Sequence, residues 1–295
     1  MANRKQRAEL AKETVRIQEE GFYKTYEGET VQLSEAIKQC NENSRIFTQK
    51  DFPSPLSKTP NNTYTTEFEV TTEYSISACL RLAAEMPSDE KIACLNFASA
   101  KNPGGGMLNG SLAQEESICL CSCLYSCLTQ FHDTFYEVSR KDPRNGLYHT
   151  MLIYSPRCVV IRNDVNYQLL DNNNNTTTTA DATASNQSKL VRTSFITCPA
   201  VNKGVALSKN ISEAVISGEM RARAELVLQV AMEMGERVLV LGAWGCGVFH
   251  NQPRDVADIF VRLLKGGGVY EGVFRKVVFA VGKEPRMNVF REKFA

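Results

Sequence analysis

Short apolar runs alternate with stretches of helical periodicity along most of this 295-residue chain. The apolar, β-branched runs predict strands at residues 63–72, 92–98, 151–154, 159–161, 193–198, 237–241 and 276–280. The stretches between them predict helices at residues 3–20, 73–86, 112–130, 219–234, 253–264 and 288–294. Strands that alternate with helices indicate an α/β fold, with a mixed sheet flanked by helices on both faces.

Two polar segments interrupt this alternation and suggest how the chain is divided. Residues 51–62 are rich in Pro, Ser and Asn, which is typical of a connector. The N-terminal helix predicted earlier in the chain stops at Gly21. Residues 171–188 lack the apolar side chains needed to offset their ordering entropy, so we predict a low-complexity surface insertion. We therefore expect an N-terminal helical extension and connector at 1–62 and an α/β domain at 63–295.

Charge and hydropathy exclude several classes of protein. The formal net charge of +1 lacks the basic excess of a nucleic-acid-binding protein, so direct sequence-specific nucleic-acid binding is not expected. The first twenty residues contain no apolar segment of a secretory signal, and no apolar run reaches membrane-spanning length. We therefore expect an intracellular protein, cytoplasmic or nuclear, with no membrane partner.

The chain contains ten cysteines, and their scatter favours a reduced protein over a disulfide framework. Cys119, Cys121, Cys123 and Cys127 lie in one predicted helix, and His132 follows shortly after. Their spacing lacks the paired C-x2-C elements of structural zinc sites. We interpret these cysteines as small apolar residues that pack the helix, and we predict neither a metal nor a cofactor.

Three consecutive glycines, Gly104–Gly106, follow a predicted strand. Such a run loses much conformational entropy on folding, and it lets the backbone approach a ligand closely with its N–H groups directed at it. Ser111 and Gln114 have the spacing of a capping box at the start of the next helix. This places Glu115 and Glu116 in the first turn, facing the glycine loop. On these residues alone, the two carboxylates could equally serve to complement the helix dipole.

A second glycine-rich loop follows the strand predicted at 237–241. Gly242, Gly245 and Gly247 are spaced as in loops whose N–H groups converge on a phosphate at a helix N-terminus. Strand-to-helix turns also use glycine for structural reasons alone, so this loop does not define a site by itself. A Rossmann dinucleotide site is excluded because G-x-G-x-x-G is absent, and a P-loop is excluded because no Gly-Lys-Ser/Thr follows.

Together, the two loops resemble those of the poly(ADP-ribose) glycohydrolases. Gly104–Gly106, followed after seven residues by Gln-Glu-Glu, is similar to the family signature GGG-x6-8-QEE, and the phrase LNFASAKNPGGG is typical of the bacterial branch. The resemblance extends to an ETVxIxxxGxY pattern at Glu13–Tyr23 and to TCPAVN at 197–202. The second loop resembles the macrodomain diphosphate loop G-x-x-G-C-G-x-F. A macrodomain-like fold is therefore implied for most of the chain, outside the Asn/Thr tract.

The resemblance implies a glycosidase that hydrolyses ribose–ribose O-glycosidic bonds in poly(ADP-ribose) and releases ADP-ribose. Glu116 would protonate the departing 2′-oxygen and then accept a proton from the attacking water. Glu115 would anchor hydroxyls of the distal ribose, against which Phe249 packs, and Gln114 would orient the glutamates. The residues expected to bind substrate are Gly104, Gly105, Gly106, Gln114, Asn96, Asn102, Gly242, Gly245, Cys246, Gly247, Val248 and Phe249.

Some alternatives stay open at this point. Asn96 and Asn102 flank the first loop, where each could contact a ribose or cap a strand or turn. The chain has Ser99 and Ala100 where vertebrate glycohydrolases and many macrodomains carry an asparagine.

The motif does not separate polymer cleavage from hydrolysis of mono-ADP-ribosylated protein, because only the leaving group differs. A non-catalytic ADP-ribose-binding macrodomain is a further alternative, although it would gain nothing from burying paired carboxylates. A structural α/β protein would leave both motifs unexplained. The expected partner is thus an ADP-ribose polymer or an ADP-ribosylated protein as substrate, and we expect the protein to act as a monomer.

Overall fold

The computed structural model describes residues 2–52, 63–87, 89–171, 190–282 and 285–294. The strands are β1 (Phe22–Lys24), β2 (Thr30–Gln32), β3 (Arg45–Thr48), β4 (Glu67–Thr71), β5 (Ile92–Phe97), β6 (Met151–Val159), β7 (Arg192–Cys198), β8 (Val238–Leu241) and β9 (Lys276–Ala280). The helices are α1 (Arg4–Glu20), α2 (Ser34–Asn43), α3 (Ser75–Glu85), α4 (Gln114–Cys121), α5 (Leu124–Thr129), α6 (Glu137–Arg140), α7 (Lys203–Ser208), α8 (Glu213–Glu233), α9 (Pro253–Leu264) and α10 (Arg286–Phe294).

A seven-stranded mixed sheet organises these elements, in the order β3-β6-β7-β5-β8-β9-β4. The strands from β7 to β4 run parallel, whereas β6 is antiparallel to both β3 and β7. Strands β1 and β2 form a separate antiparallel hairpin. The predicted α/β fold with a mixed sheet is therefore confirmed.

The central strands bury both faces, which explains why their sequences are continuously apolar. Ala93 and Leu95 on β5 pack in a core shared with α8, α9 and α10. Their neighbours Ile92 and Cys94 pack in a second core with α1, α2, α3, α4 and α5. Because side chains alternate along a strand, helices cover the sheet on both faces. The second core lies beneath the helix that bears the paired glutamates.

The single helix predicted at 112–130 is wrong, since the structure divides it into α4 and α5. At Ser122 the backbone is extended and bridges Val160, and the N–H of Cys123 donates to the carbonyl of Val159 at 2.9 Å. The Ser122 hydroxyl donates to the Ile118 carbonyl at 2.8 Å. Pairing with the chain that follows β6 thus replaces two helical hydrogen bonds and redirects the helix.

Two other predicted elements differ from the structure. The strand predicted at 151–154 continues to Val159 as β6, whose pairing with β7 is irregular between Ser155 and Cys158. Of the second predicted strand, 159–161, only Val159 belongs to β6, and Val160 forms an isolated bridge with Ser122. Helix α8 begins at Glu213 rather than at residue 219, because the Ser212 side chain accepts a hydrogen bond from the Val215 N–H. By contrast, α9 and β9 occupy the residues predicted for them.

The segment predicted as an extension contains more structure than its first helix. Helix α1 ends at Gly21 as predicted, with Gly21 at φ 74°, but the β1–β2 hairpin, α2 and β3 were not predicted. Strand β3 joins the main sheet by pairing with β6. The division at 62 and 63 stays a prediction, since most of the proposed connector and of the insertion predicted at 171–188 lies outside the described residues.

Helix α1 is bonded to the elements around the glycine loop. The buried Thr14 hydroxyl donates to the Leu120 carbonyl at 3.0 Å, and the Gln18 side chain accepts from the Ser126 N–H at 2.8 Å. Near the start of the helix, Arg7 Nε donates to the Gly110 carbonyl at 2.9 Å. The Glu13–Tyr23 pattern therefore fixes α4 and α5. Across the part of the chain that is described, no helix combines the length and apolar character that crossing a membrane requires.

The Thr14 hydrogen bond gives a first test of this attachment. Thr14→Val keeps the shape of the side chain but leaves the buried Leu120 carbonyl without its donor, so the free energy of unfolding should fall by about 1–2 kcal/mol. Urea denaturation measures this change. Thr30→Val, at an exposed position on β2, is the control and should change stability by less than about 0.5 kcal/mol. Equal losses in the two variants would contradict the role given to Thr14.

Candidate active site

A cavity of about 940 Å³ opens where β5 and β8 end and the two glycine loops begin. In parallel sheets this edge is where ligands bind. The volume lies within the range of about 300–1,000 Å³ typical of small-molecule sites. The lining residues from the first loop and α4 are Asn102, Gly105, Gly106, Gln114, Glu115 and Glu116, and those from the second loop are Gly245, Gly247, Val248 and Phe249.

The first loop brings backbone into direct contact with the carboxyl groups of α4. Gly105 has a φ of +60°, and a Cβ there would lie 2.5 Å from Glu116 Oε1 and 3.0 Å from Glu115 Oε2. Gly104 has a φ of +66°, and its Cβ would lie 2.9 Å from the Tyr125 ring. Glycine is therefore required at both positions, by conformation and by close approach.

Glu116 reaches the cavity with one oxygen held in place. The Gly106 N–H donates to Oε1 at 2.9 Å, and the residue is 8% exposed. Among the described residues, Oε2 makes no hydrogen bond. One carboxylate oxygen thus orients the group while the other is available to a substrate.

Glu115 is more deeply buried, at 3% exposure. Its Oε2 accepts from the Ser99 N–H at 2.7 Å, and its Oε1 accepts from Asn96 Nδ2 at 3.4 Å. Burial raises the pKa of Glu115 well above its usual range; the Ser99 N–H opposes this by favouring the anion, and the charge of Glu116 adds to it. Desolvation is the larger effect, so Glu115 tends to keep its proton.

Gln114 fixes the start of α4 through three hydrogen bonds. Its Oε1 accepts from the Phe97 N–H at 2.8 Å, and its Nε2 donates to the Leu95 carbonyl at 2.8 Å and to Ser75 Oγ at 3.0 Å. The capping box predicted with Ser111 is wrong, because α4 begins at Gln114 and its N-cap residue makes no side-chain hydrogen bond. The Gln114 side chain is bonded to β5 and α3 instead of to a cap.

The two predicted asparagines occupy different surroundings. Asn96 is fully buried, donates to Glu115 and to Thr197 Oγ1 at 3.2 Å, and is not part of the cavity lining. Asn102 lines the cavity, but its side chain accepts from Arg140 at 2.7 Å and its backbone carbonyl accepts from the Gly105 N–H. The structure thus gives Asn96 a position behind Glu115 and gives Asn102 a position in the turn before the glycines.

The second loop is held by the segment at 197–202. Trp244 Nε1 donates to the Cys198 carbonyl at 3.0 Å, and Asn251 Nδ2 donates to the Val201 carbonyl at 2.8 Å. Gly245 has a φ of +72°, and a Cβ there would lie 2.5 Å from Ala200 Cβ. A Cβ at Gly247 would meet open space, which leaves the backbone at that position accessible from the cavity.

The remaining predicted residues divide between the rim and the support of the loops. Val248 is 79% exposed, and Phe249 is half-buried and lines the cavity. Gly242 lies behind the lining, where a Cβ would come within 2.6 Å of the Ala280 carbonyl oxygen. Cys246 is buried and its thiol donates to the Trp244 carbonyl at 3.7 Å. Gly242 and Cys246, like Gly104 and Asn96, therefore lie behind the cavity lining and support it.

Sequence reasoning missed several residues that form the cavity. Arg7 on α1 lines it, although it lies about a hundred residues from the first loop along the chain. Asp164 also lines it, and its carboxylate accepts from the N–H groups of Ile76 and Ser77 at the start of α3. The backbone N–H of Ser99 donates to Glu115, and a backbone contact of this kind cannot be recognised from the residue type. Only tertiary structure reveals these contributions.

The fold and the cavity define a macrodomain-like α/β protein whose glycine loop faces paired glutamates. The family description "Microbial-type PARG, catalytic domain" matches residues 11–163. The chain belongs to this family, the microbial-type poly(ADP-ribose) glycohydrolases (PARG), and it is a glycosidase. The family, the fold class and the enzyme class expected from the sequence are therefore confirmed.

Solved structures agree with this assignment. The chain is 36% identical to the poly(ADP-ribose) glycohydrolase of Thermomonospora curvata bound to the inhibitor ADP-HPD, with 98% of this chain and 99% of that chain covered and a TM-score of 0.82. It is also 36% identical to the Deinococcus radiodurans enzyme in complex with ADP-ribose, with 89% and 98% covered and a TM-score of 0.74. No curated protein sequence matches the chain.

The contact between Gly105 and Glu116 predicts a specific loss of function. Gly105→Ala should lower the rate of ADP-ribose release at least about tenfold, because the new methyl group must displace the Glu116 carboxyl group, which the sequence predicts as the general acid, and general acid–base catalysis is worth about 10²–10⁴-fold. Gly266→Ala is the matched control: Gly266 has a φ of +61°, and a Cβ there meets nothing within 4 Å. The left-handed backbone should cost each variant about 1–2 kcal/mol of stability, and Gly105→Ala should lose more because its methyl group overlaps the carboxyl groups. Equal activities in the two variants would contradict the proposed contact.

The raised pKa of Glu115 predicts how stability depends on pH. The folded state retains this proton above about pH 4.3, the ordinary glutamate value, so stability falls as pH rises from there to the folded-state pKa. Glu115→Gln removes the titration. Its free energy of unfolding relative to wild type, from urea denaturation, should therefore increase as the pH rises above about 4.3 and level off above the folded-state pKa. A difference that is constant across pH, or one shared by the exposed Glu35→Gln, would contradict this interpretation.

Proposed function

We propose that this chain cleaves the ribose–ribose O-glycosidic bond of poly(ADP-ribose), with Glu116 as general acid and then general base. The observation that supports this role most directly is the hydrogen bond from the Gly106 N–H to Glu116 Oε1, in a carboxylate that also lines the cavity. Because the backbone holds Oε1, the orientation of the whole Glu116 carboxyl group, including Oε2, is fixed. Orientation of this kind contributes strongly to catalysis.

The diphosphate of the substrate is proposed to lie on the second loop. The backbone at Gly245 and Gly247 is accessible from the cavity, and a loop of this kind offers N–H groups to phosphate oxygens. The D. radiodurans and T. curvata relatives were solved with ADP-ribose and ADP-HPD, which contain the same kind of group. Binding energy from the diphosphate would then position the ribose carbon that reacts.

In the first step, Glu116 protonates the departing 2′-oxygen while the ribose carbon acquires oxocarbenium character. In the second step, the resulting carboxylate accepts a proton from the water that attacks this carbon, and ADP-ribose is released. One carboxyl group therefore serves both steps. Its neighbour Glu115 is proposed to hold the hydroxyls of the distal ribose, and its raised pKa suits a carboxyl group that donates a hydrogen bond.

The surrounding residues are assigned roles by position. Phe249 and Val248 are proposed to pack at the distal ribose and at the rim, and Asn102 shapes the turn that precedes the glycines. Gln114 and Asn96 are positioning residues, because their side chains bond to β5 and to Glu115. Gly104, Gly242 and Cys246 support the loops without lining the cavity.

The compartment and the assembly state are also proposals. Every cysteine is reduced and buried, which supports a reducing, cytoplasmic or nuclear setting. The cavity is complete within one chain, which supports action as a monomer.

The decisive experiment compares wild type with Glu116→Gln. Release of ADP-ribose from a defined polymer should fall about 10²–10⁴-fold, while the affinity for ADP-ribose measured by calorimetry should change only a few-fold. Glu35→Gln, in the first turn of α2, is the control and should retain wild-type activity. If wild type binds ADP-ribose but releases it only from mono-ADP-ribosylated protein, the polymer substrate is wrong. If Glu116→Gln keeps full activity, the assignment of the catalytic acid fails.

A further inference from the structure

Three buried cysteines meet beneath the sheet, away from the cavity. Cys40 lies on α2, Cys127 on α5 and Cys158 on β6, and none is more than 3% exposed. Their sulfur atoms all lie within 4.8 Å of one another, and Cys40 Sγ lies 3.3 Å from Cys127 Sγ. Three separate elements thus bring three thiols to one point.

This arrangement differs from the one that the sequence suggests. Cys119, Cys121, Cys123 and Cys127 are close together in sequence. In the structure, however, Cys127 contacts Cys40 and Cys158, which lie far from it along the chain. His132, which follows soon after Cys127 in sequence, is half-exposed and faces Asp133. The motif spacing that argues against zinc therefore does not apply to the cluster that forms.

The sulfur distances match those of a thiolate metal site. Zinc–sulfur bonds of about 2.3 Å in a tetrahedron separate the sulfur atoms by roughly 3.8 Å. The observed triangle, with one edge at 3.3 Å and none above 4.8 Å, brackets this value. Small movements of buried side chains would complete three bonds of ordinary length.

A buried hydroxyl group faces the same cluster. Ser155 on β6 is fully buried and adjoins the Cys127 thiol. Among the residues that the structure describes, its Oγ has no hydrogen-bond partner of acceptable geometry. The Cys127 thiol is a polar neighbour of this hydroxyl, so a metal ion held by Cys127 would also lie near it. The hydroxyl supplies an oxygen atom beside the three sulfur atoms.

A cationic side chain lies close enough to offset part of the negative charge that thiolates would bring to this buried cluster. The Arg192 guanidinium on β7 is within electrostatic range of Cys40. Three thiolates around a divalent ion leave one net negative charge, and a neighbouring guanidinium offsets it. Sulfur ligands select soft ions such as zinc and copper(I) over the hard ions that carboxylates prefer.

We propose that Cys40, Cys127 and Cys158 bind one thiophilic metal ion, Zn²⁺ or Cu⁺, as three thiolates, with the Ser155 hydroxyl as a neutral fourth ligand for zinc. Binding converts three S–H groups into three metal–sulfur bonds and releases three protons to solvent. The ion would join α2 and α5 to β6. Its role would be structural, because the three cysteines lie away from the cavity. The ion would hold α5 in place, and α5 directly follows the helix that bears Glu115 and Glu116.

The test uses the full-length protein, reduced and stripped of metal under anaerobic conditions. Cobalt(II) is the first probe, because its thiolate complexes absorb strongly in the near ultraviolet. One equivalent should produce this band, zinc should abolish it by displacement, and either metal should raise the melting temperature. A parallel titration with copper(I) shows whether the same site also accepts the monovalent ion, and the metal content of protein purified without chelator shows which ion it holds, because affinity alone does not decide this.

Variants locate the site. Cys40→Ser and Cys158→Ser should each remove most of the cobalt band, whereas Cys198→Ser, which alters a fully buried cysteine on β7, should keep it. If the cluster variants do not fold, alkylation of wild type followed by peptide mass mapping gives the same answer. Bound metal should protect Cys40, Cys127 and Cys158 from alkylation more than it protects Cys198.

Three results would overturn the proposal. The first is a wild-type protein that gives neither a cobalt–thiolate band nor a rise in melting temperature. The second is equal loss of the band in Cys198→Ser and in the cluster variants. The third is natively purified, metal-free protein in which Cys40 and Cys127 form a disulfide, since this pair would then be a redox link rather than a metal site.

Discussion

The hydrogen bonds of the Gln114 side chain with the backbone of β5 determine where α4, the helix with the paired glutamates, begins. One amide group accepts from Phe97 and donates to Leu95, so α4 starts at a fixed height above the end of the strand. Glu115 and Glu116 lie in the first turn of α4, so the same hydrogen bonds determine where they are placed. The glycine loop then closes over them, because a side chain at Gly105 would overlap both carboxyl groups. The strand, the amide and the glycines thus act as one unit that positions the two carboxyl groups.

Burying two neighbouring carboxyl groups is costly unless each receives a hydrogen bond. Here the backbone supplies both, from Ser99 to Glu115 and from Gly106 to Glu116. The burial of Glu115 raises its pKa, which favours the protonated carboxyl group more than in an exposed glutamate. Two adjacent residues of one chemical type can therefore take different roles, set by their surroundings. The same logic separates acid from nucleophile in other glycosidases.

The parts of the fold that could be predicted were those with local signals. Helix α9 begins at Pro253, and β9 is a short apolar run, so both occupy the predicted residues. The break at Ser122 could not be predicted, because it comes from pairing with Val160 and not from a breaking residue. The hairpin, α2 and β3 are short and mostly polar, so they gave too weak a pattern. Likewise, the sequence located the two loops and both glutamates, but it could not show that Asn96 lies behind Glu115 or that Arg7 reaches the cavity.

The pairing of β4 with β9 has a consequence for how the molecule is made. Glu67 on β4 contacts Lys276 on β9, 209 residues further along the chain, and within the described residues β9 is the strand that pairs with β4. As the ribosome extends the nascent chain, β4 emerges early and must wait for nearly all the remaining sequence before it can pair. Closing so long a loop is slow, since its entropy must be lost before the contacts form. This edge of the sheet is therefore completed only after most of the domain has been synthesised, and chaperones would meet β4 while it is still unpaired.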